Sequence, residues 1–250
     1  MKKINGFVIV FFTLISAAFG QVKESRTVGN FTAIRASGSV NVVYSQSATQ
    51  AIEVTWEKEF MKYLKIEAKN NILKIYIEND SNLNTIDTSK LLVSVSNRGI
   101  GTISLSTSAT FSIKGNLNVS LLKINTTTSS DFSGTVTCNS IFVDASSSSN
   151  IALTMATDDI AVNLSSSASV MLKGKTNNLA IDASSSSDCD AKELNSNSIQ
   201  VLASTSSQVV VLPLKSLDAT ASTSASVKYY GKLEKVKISE NTSGSVELMK

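Results

Sequence analysis

The sequence predicts an all-β fold, a right-handed parallel β-helix of about 19-residue coils with an irregular β-rich N-terminal capping segment. The first observation is a run of small hydroxyl residues that recurs as DASSSSNI at 144–151, NLSSSASV at 163–170 and DASSSSDC at 182–189. The second is an apolar residue that opens each unit at a nearly constant spacing. The third is strict alternation of apolar and polar residues on both sides of the hydroxyl run, which indicates strands.

A solenoid explains why such short units would be stable. Ser, Thr and Val disfavour helix, and one unit is too small to bury its own apolar face. Units that stack can bury it, because each strand pairs with the same strand of the next coil about 4.8 Å away. A leucine-rich repeat is the competing solenoid, but its period is longer and its signature is missing here.

Residues 1–20 have the pattern of a secretory signal peptide. Lys2 and Lys3 precede an apolar run over 7–15, and small residues lead to a predicted cleavage after Gly20. We therefore expect an exported protein that is periplasmic, on the outer surface or secreted. A non-cleaved anchor is the alternative, although the run is short for a membrane span. No further transmembrane segment is expected in the mature chain.

Residues 21–102 are predicted to form a β-rich cap and the first coils, continuous with the repeats of 103–250 as one domain. Strands are expected over 40–44, 51–56 and 91–95, and a hairpin turning at Asn70-Asn71, because Asn tolerates positive φ. One or two helical turns are expected over 57–64 and a polar loop over 79–89. Trp56, the sole tryptophan, is interpreted as a core or cap residue.

The predicted inward columns of the repeat follow from its register. The units open at Leu122, Ile141, Ile160, Leu179, Ile199, Leu217 and Val236, with an earlier unit predicted at Ile103. Two residues later the next inward positions are Ile124, Val143, Val162, Ile181, Val201, Ala219 and Ile238. A looser third wall is predicted from Val136, Met155, Leu194, Leu214 and Leu233.

The hydroxyl run is interpreted as a structural serine ladder at an internal corner, where only small side chains fit and hydroxyls pass hydrogen bonds from coil to coil. Serine occupies its third position in seven successive units: Ser129, Ser148, Ser167, Ser186, Ser206, Ser224 and Ser243. The alternative is a flexible or O-glycosylated tract. The two cysteines, Cys138 and Cys189, fall in different columns more than two coils apart, so we predict two buried free thiols.

Composition excludes several kinds of site. The sequence contains no histidine, which rules out Ser-His-Asp and Cys-His catalysis and His-rich metal sites. A net charge of +3 with dispersed basic residues does not indicate a nucleic-acid partner. The repeat contains no arginine, so the arginine base of pectate-lyase chemistry is missing. No cofactor and no metal are expected.

One outward column carries the candidate binding residues Asn125, Asp144, Asn163 and Asp182. It is either a structural ladder of acids and amides or a binding surface. A third interpretation uses Asp144 and Asp182, two coils or about 10 Å apart, as the carboxylate pair of a polysaccharide-active enzyme. Tyr229 is predicted to point inward and Tyr230 outward, where its ring could stack on a sugar.

The chain resembles a bacterial family called "putative auto-transporter adhesin, head GIN domain". The resemblance rests on the opening F-x-A-I-x-A-S-G-S-V-N-V at 31–42, the segment 60–77 that ends in NNILKIYI, and the serine-bearing β repeats. It covers nearly the whole mature chain. It implies a right-handed β-helix in an exported protein and gives no catalytic residues to carry over.

Three functions remain open from the sequence. The leading hypothesis is an exported, non-enzymatic, adhesin-like module that binds a glycan or another cell-surface component. The others are a polysaccharide hydrolase or lyase, and a structural or envelope-stress protein without a dedicated ligand. Solenoid ends need caps. We expect the N-terminal segment to cap one end, and if the more polar C-terminal end is uncapped, copies of the chain could associate there.

Overall fold

The computed structural model describes residues 20–78 and 86–250, so the predicted signal peptide and most of the predicted loop over 79–89 lie outside the described residues. Within them the chain is all-β, and no helix there is long and apolar enough to span a bilayer. The strands of the N-terminal part are β1 (Gln21–Ser25), β2 (Ala33–Ser37), β3 (Asn41–Gln46), β4 (Ala51–Glu57), β5 (Leu64–Lys69), β6 (Ile72–Ile77) and β7 (Leu92–Asn97).

The strands from β8 on build a parallel β-solenoid of about eight turns. They are β8 (Thr102–Ser106), β9 (Thr110–Asn118), β10 (Leu121–Thr126), β11 (Asp131–Thr137), β12 (Ser140–Ala145), β13 (Asn150–Leu164), β14 (Ser169–Ala183), β15 (Asp188–Ala203), β16 (Gln208–Ala221), β17 (Ser226–Tyr229), β18 (Lys235–Glu240) and β19 (Ser245–Leu248). Each repeating turn pairs in parallel with the turns before and after it, as the predicted solenoid requires.

The predicted inward columns of the repeat are confirmed by the strand register. Leu122 pairs with Ile141 and Ile141 with Ile160, and the column continues to Val236. Ile103 is the exception, because it pairs with Ile124 and therefore belongs to the second inward column rather than the first. Leu214 is also misassigned: it is 49% exposed and does not contribute to a third wall.

The N-terminal coils do not stack in the order of the sequence. β2 lies between β6 and β8, and β3 lies between β7 and β9. After its first coil the chain therefore moves outward along the axis, forms β6 and β7 on the far side, and returns to continue with β8. The first coil in sequence is an interior coil in space.

Antiparallel strands close this end of the solenoid. β4 runs antiparallel to both β7 and β1, and β5 runs antiparallel to β6. Trp56 is fully buried there, lies 5.5 Å from the ring of Phe60, and donates its Nε1 hydrogen bond to the carbonyl oxygen of Asp87. Trp56 is thus a core residue of the cap, as the sequence predicted.

Between β4 and β5 the structure contains turns instead of the predicted helical turns. The amides of Phe60 and Tyr63 donate to carbonyls three residues earlier, at Glu57 and Phe60, and no helix follows. The hairpin between β5 and β6 is confirmed. Asn70 and Asn71 have φ values of 53° and 61°, which are the positive values of a tight hairpin turn.

The serine ladder is stacked in register, but its third position is not internal. Ser148 is exposed, and both it and Ser147 have positive φ, at 60° and 54°. The same two positions have positive φ in every turn of the ladder. With Ser149 N donating to the Ser146 carbonyl, each corner is a β-turn whose two central residues are left-handed and point to solvent.

The predicted internal hydroxyl column lies one residue later. Ser149 is fully buried, and its hydroxyl lies 3.0 Å from that of Thr126 in the preceding turn. At the equivalent position, the hydroxyl of Ser207 donates to the backbone carbonyl of Ala183 in the preceding turn, at 3.0 Å. Left-handed backbone costs about 1–2 kcal/mol per non-glycine residue. Backbone hydrogen bonds between corners, such as Ser148 N to the Ser166 carbonyl at 3.0 Å, offset this cost.

Both cysteines are free and buried, as predicted. Cys189 lies in the column between Val170 and Val209. Burial, with smaller contributions from Asp190 and Asp188, raises the pKa of its thiol to about 12.

We expect Cys189 to make the fold sensitive to alkali. In the unfolded chain a thiol ionises near pH 8.5, whereas the folded protein retains the proton to about pH 12. The protonated thiol therefore makes its full contribution to the free energy of unfolding below about pH 8.5. As the pH rises above that value, this contribution declines by at most about 1.4 kcal/mol per pH unit. Urea unfolding from pH 7 to 11 should show a shallower decline for Cys189→Val than for the wild type. Burial also raises the pKa of Tyr44 to about 12, so equal slopes would assign the decline to Tyr44 and contradict the prediction.

Candidate functional site

The predicted outward column exists. Asn125 pairs with Asp144, Asp144 with Asn163, and Asn163 with Asp182 on consecutive turns, and all four side chains are exposed. The two carboxylates are two coil spacings apart, about 10 Å. Within residues 20–78 and 86–250, no protein group forms a hydrogen bond or ion pair with these four side chains. Their amide and carboxylate groups are therefore available to a ligand.

The non-sequential stacking extends this column at its N-terminal end. Asn125 pairs with Ser104, and Ser104 pairs with Arg35 of the interior first coil. A cleft of about 400 Å³ runs along this stretch, lined by Arg35, Ser104, Asn125 and Asp144 and by the corner hydroxyls of Thr127 and Ser146. An arginine thus stands at the head of the column, although the repeat itself contains no arginine.

Phe142 projects from the same face, beside the polar column. It is an outward residue two positions before Asp144, and its side chain is 49% exposed. On one side the neighbouring turn carries Lys123, whose Nζ lies 6.0 Å from the ring centroid. On the other side the next two turns carry Ala161 and Ala180. Since alanine has a single methyl group, this side of the ring is open.

We call this surface the Phe142 platform. It consists of the ring of Phe142, the floor of Ala161 and Ala180, and the polar column Asn125, Asp144, Asn163 and Asp182. An exposed ring next to a flat apolar floor, with unpaired amides and carboxylates along one border, is an arrangement that can stack on a ring-shaped ligand and hydrogen-bond to its hydroxyls.

The opposite border of the floor is a structural ladder. Asn178 donates to Asp159 at 2.7 Å, and one position earlier Asn177 donates to Asp158 at 2.9 Å. These acids and amides satisfy one another, in contrast to the polar column of the platform. Among the described residues no group of three or more carboxylate or thiol side chains is placed to hold a metal ion.

Tyr230 does not join the platform. It follows β17, which stacks on the Val209–Val211 stretch of β16, a different wall of the solenoid from the polar column. Tyr229 is buried and Tyr230 is partly exposed, as the predicted in-and-out orientation requires, and Tyr230 lies apart from the Asp column.

A second concave surface lies at the N-terminal cap. This cap cleft, about 720 Å³, lies between residues 26–29 and β5, and its apolar lining includes Val28, Met61, Leu64 and Ile66. Arg26 borders it, bonded to Glu24 at 2.7 Å, with its buried Nε lacking a hydrogen-bond partner. The cleft is thus mainly apolar, and the charged residues that line it are of both signs, since Glu67 lies there as well as Lys62 and Lys65.

The family model described as "Putative auto-transporter adhesin, head GIN domain" matches residues 30–232. The chain belongs to this family. The match contains the interior first coil, strands β4 and β5 of the cap and the Phe142 platform, and it ends before the last turn of the solenoid. A search of curated proteins finds no match.

Several solved structures share the fold. A protein from Parabacteroides distasonis described as a putative lipid binding protein is 21% identical, with a TM-score of 0.83 over 92% of this chain and 97% of its own. A putative adhesin from Parabacteroides merdae is 20% identical, with a TM-score of 0.82 over 92% and 96%. A putative adhesin from Bacteroides fragilis is 17% identical, with a TM-score of 0.68 over 92% and 97%. At these identities the similarity establishes the fold alone.

Two members of the site were missed from the sequence. The exposure of Phe142 could have been predicted from the sequence, because a residue between the inward Ile141 and Val143 must face outward. Arg35 had a weaker one, because its strand AIRAS aligns with TISLS of β8 only once both are recognised as the same wall of the solenoid.

Proposed function

We propose that this protein is an exported, non-enzymatic binding module whose Phe142 platform holds a glycan of the cell surface or its surroundings. The observation that carries the proposal is the exposed ring of Phe142 beside an alanine floor and a polar column without protein partners. Membership in an adhesin-named family and the predicted signal peptide support a surface or exported location.

The chemistry of the platform fits a sugar. A pyranose presents an apolar face of C–H groups and a rim of hydroxyls, so it can stack on an aromatic ring while hydrogen-bonding at its edge. Here the column supplies both amide donors and carboxylate acceptors at a repeat of about 4.8 Å. A chain of sugars lying along the solenoid axis would meet the same kind of group at each turn.

The test is binding of the chain from Gln21 on to a glycan array. We expect wild type to bind a subset of glycans and Phe142→Ala to lose at least about tenfold in affinity, about 1.4 kcal/mol, because the stacking surface is removed. Met171→Ala is the matched control, since Met171 is 45% exposed but lies on another wall. Absence of glycan binding by wild type, or equal losses in both variants, would contradict the proposal.

Two other functions are tested by separate measurements. A polysaccharide-active enzyme is favoured by the placement of Asp144 and Asp182 two turns apart in one column. Release of products from a bound glycan, lost in Asp182→Asn, would support this function. The apolar cap cleft favours an amphiphile such as a fatty acid, in keeping with the related protein described as a putative lipid binding protein. Binding to fatty acid that Phe142→Ala leaves intact would point to that cleft.

A further inference from the structure

The face that carries the Phe142 platform continues towards the N-terminal cap with cations. Arg35 and Ser104 extend the polar column over the two coils that precede it, and Lys123 pairs with Thr102 in the neighbouring outward column, the one that contains the ring. Arg35 and Lys123 are both exposed. Among the described residues, no carboxylate lies within ion-pair distance of either cation.

Thr102 and Ser104 form a low polar floor between the two cations. Both are outward, half-buried residues of β8 with short side chains. Arg35 lies directly beside Ser104, and Lys123 lies directly beside Thr102, on coils that are two spacings or about 10 Å apart along the axis. A group on this floor can accept hydrogen bonds from a guanidinium, an ammonium and two hydroxyls. We call these four residues the cationic subsite.

The carboxylates of the same face lie farther along the solenoid. Asp144 and Asp182 follow Ser104 at two and four coil spacings, about 10 and 19 Å. Lys123 is one coil from Asp144, but its Nζ lies over the Phe142 ring, 6.0 Å from the centroid. Because charges in solvent are screened over about 8 Å at physiological ionic strength, the floor of the subsite keeps a positive potential. Charge is thus separated along one face, positive before the ring and negative from the ring onward.

The next coil on the cap side is nearly neutral. It carries Lys74 beside Arg35, and Lys74 lies opposite Glu67 of antiparallel β5. The two cations of the subsite therefore set the sign of the local charge.

We propose that the glycan held by the Phe142 platform is acidic, and that the cationic subsite binds its carboxylate or sulfate group. This inference rests on the proposed function, because it requires a glycan on the platform. Arg35 provides a planar, two-pronged donor that matches the oxygens of such anions, and Lys123 provides a second charge. Asp144 and Asp182 repel an anionic group over the alanine floor. The glycan therefore binds in one direction, with its acidic group towards the N-terminal cap.

The separation of the two parts of the face sets a minimum size for the ligand. Ser104 and the midpoint between Ala161 and Ala180 are three and a half coil spacings apart, about 17 Å. One sugar ring is too small to reach both places. The ligand is therefore an oligosaccharide chain that lies along the solenoid axis.

Pairs of glycans that differ only in one anionic group test the proposal. The probes are oligosaccharides with a uronic acid and their carboxyl-reduced forms, and sulfated oligosaccharides and their unsulfated forms, each measured with the chain from Gln21 on. We expect the acidic member of a bound pair to bind at least about tenfold more tightly. This preference should decline as salt rises from about 50 to 500 mM.

Arg35→Gln should lose at least about tenfold in affinity for the acidic member. It should leave the neutral member unaffected, which also shows that the variant is folded. Arg98→Gln is the matched control, because Arg98 is another exposed arginine but follows β7, which pairs with β3 on a different wall. This variant should keep the preference of the wild type. Phe142→Ala should weaken both members alike, because the ring stacks on the sugar and not on its anionic group.

Three results would overturn the proposal while leaving the platform as a glycan site. They are equal binding of acidic and neutral members, a preference that survives in Arg35→Gln, and equal losses in Arg35→Gln and Arg98→Gln. Absence of binding to every glycan, neutral members included, would instead contradict the proposed function and the acidic ligand with it.

Discussion

Replacement of Gly174 by alanine is expected to destabilise the solenoid by about 3 kcal/mol. Gly174 lies in β14 with φ of 111°, a conformation that L side chains rarely adopt, and a Cβ there would overlap the carbonyl oxygen of Met155 in the preceding turn. Both the backbone strain and the overlap with an immobile backbone group oppose the substitution. The measurement is the urea midpoint of Gly174→Ala at neutral pH.

Gly115→Ala is the control that separates the two causes. Gly115 also has a positive φ, 84°, but a Cβ there meets no atom within 4 Å. We expect it to lose only about 1 kcal/mol, from the positive φ alone. Equal losses at both glycines would show that the close approach of the two turns at Gly174 does not contribute.

The second large effect is expected at the N-terminal cap. Trp56→Ala removes a fully buried indole from the terminal layer and should cost about 3–5 kcal/mol. Trp56→Phe keeps most of the ring and its packing on Phe60 but loses the hydrogen bond to the Asp87 carbonyl, so we expect a loss of about 1 kcal/mol from that bond together with a smaller packing loss. Chemical denaturation of both variants gives the comparison. A Trp56→Ala protein as stable as wild type would mean that the cap does not protect the stack.

The repeat could be predicted from the sequence because each unit restates the same alternation. The apolar pairs that open the turns, such as Ile141 and Val143, fix which side chains face inward, and the strand register follows from their spacing. The buried free cysteines followed from the same register. Ile103 was assigned to the wrong inward column because β9 has two more residues than β11 at the register shift opposite Ser133 and Thr135, so counting back 19 residues from Leu122 reached the second inward column instead of the first.

The stacking order of the N-terminal coils and the orientation of the corner serines could not be predicted from alternation and spacing. The interior position of β2 and β3 depends on which coil pairs with which, and their alternation resembles that of β6 and β7. The orientation of the serines depended on a left-handed backbone at Ser147 and Ser148, which is unusual for serine, so the inward hydroxyl moved to Ser149. At the candidate site, the alternation of inward and outward residues predicted the polar column. The position of Arg35 beside it depends on how the coils stack in three dimensions, which alternation does not reveal.

The most direct test of the Phe142 platform is an NMR titration of the chain, labelled at its alanine methyl groups, with the strongest glycan from the array. We expect the methyl signals of Ala161 and Ala180 to shift, because the sugar would lie on this floor, and the signal of Ala152 on another wall to stay unchanged. In Phe142→Ala, at least about ten times more glycan should be needed to produce the same shifts, because the stacking contact is lost. Shifts at Ala152 without shifts at Ala161 and Ala180 would place the ligand elsewhere and contradict the account.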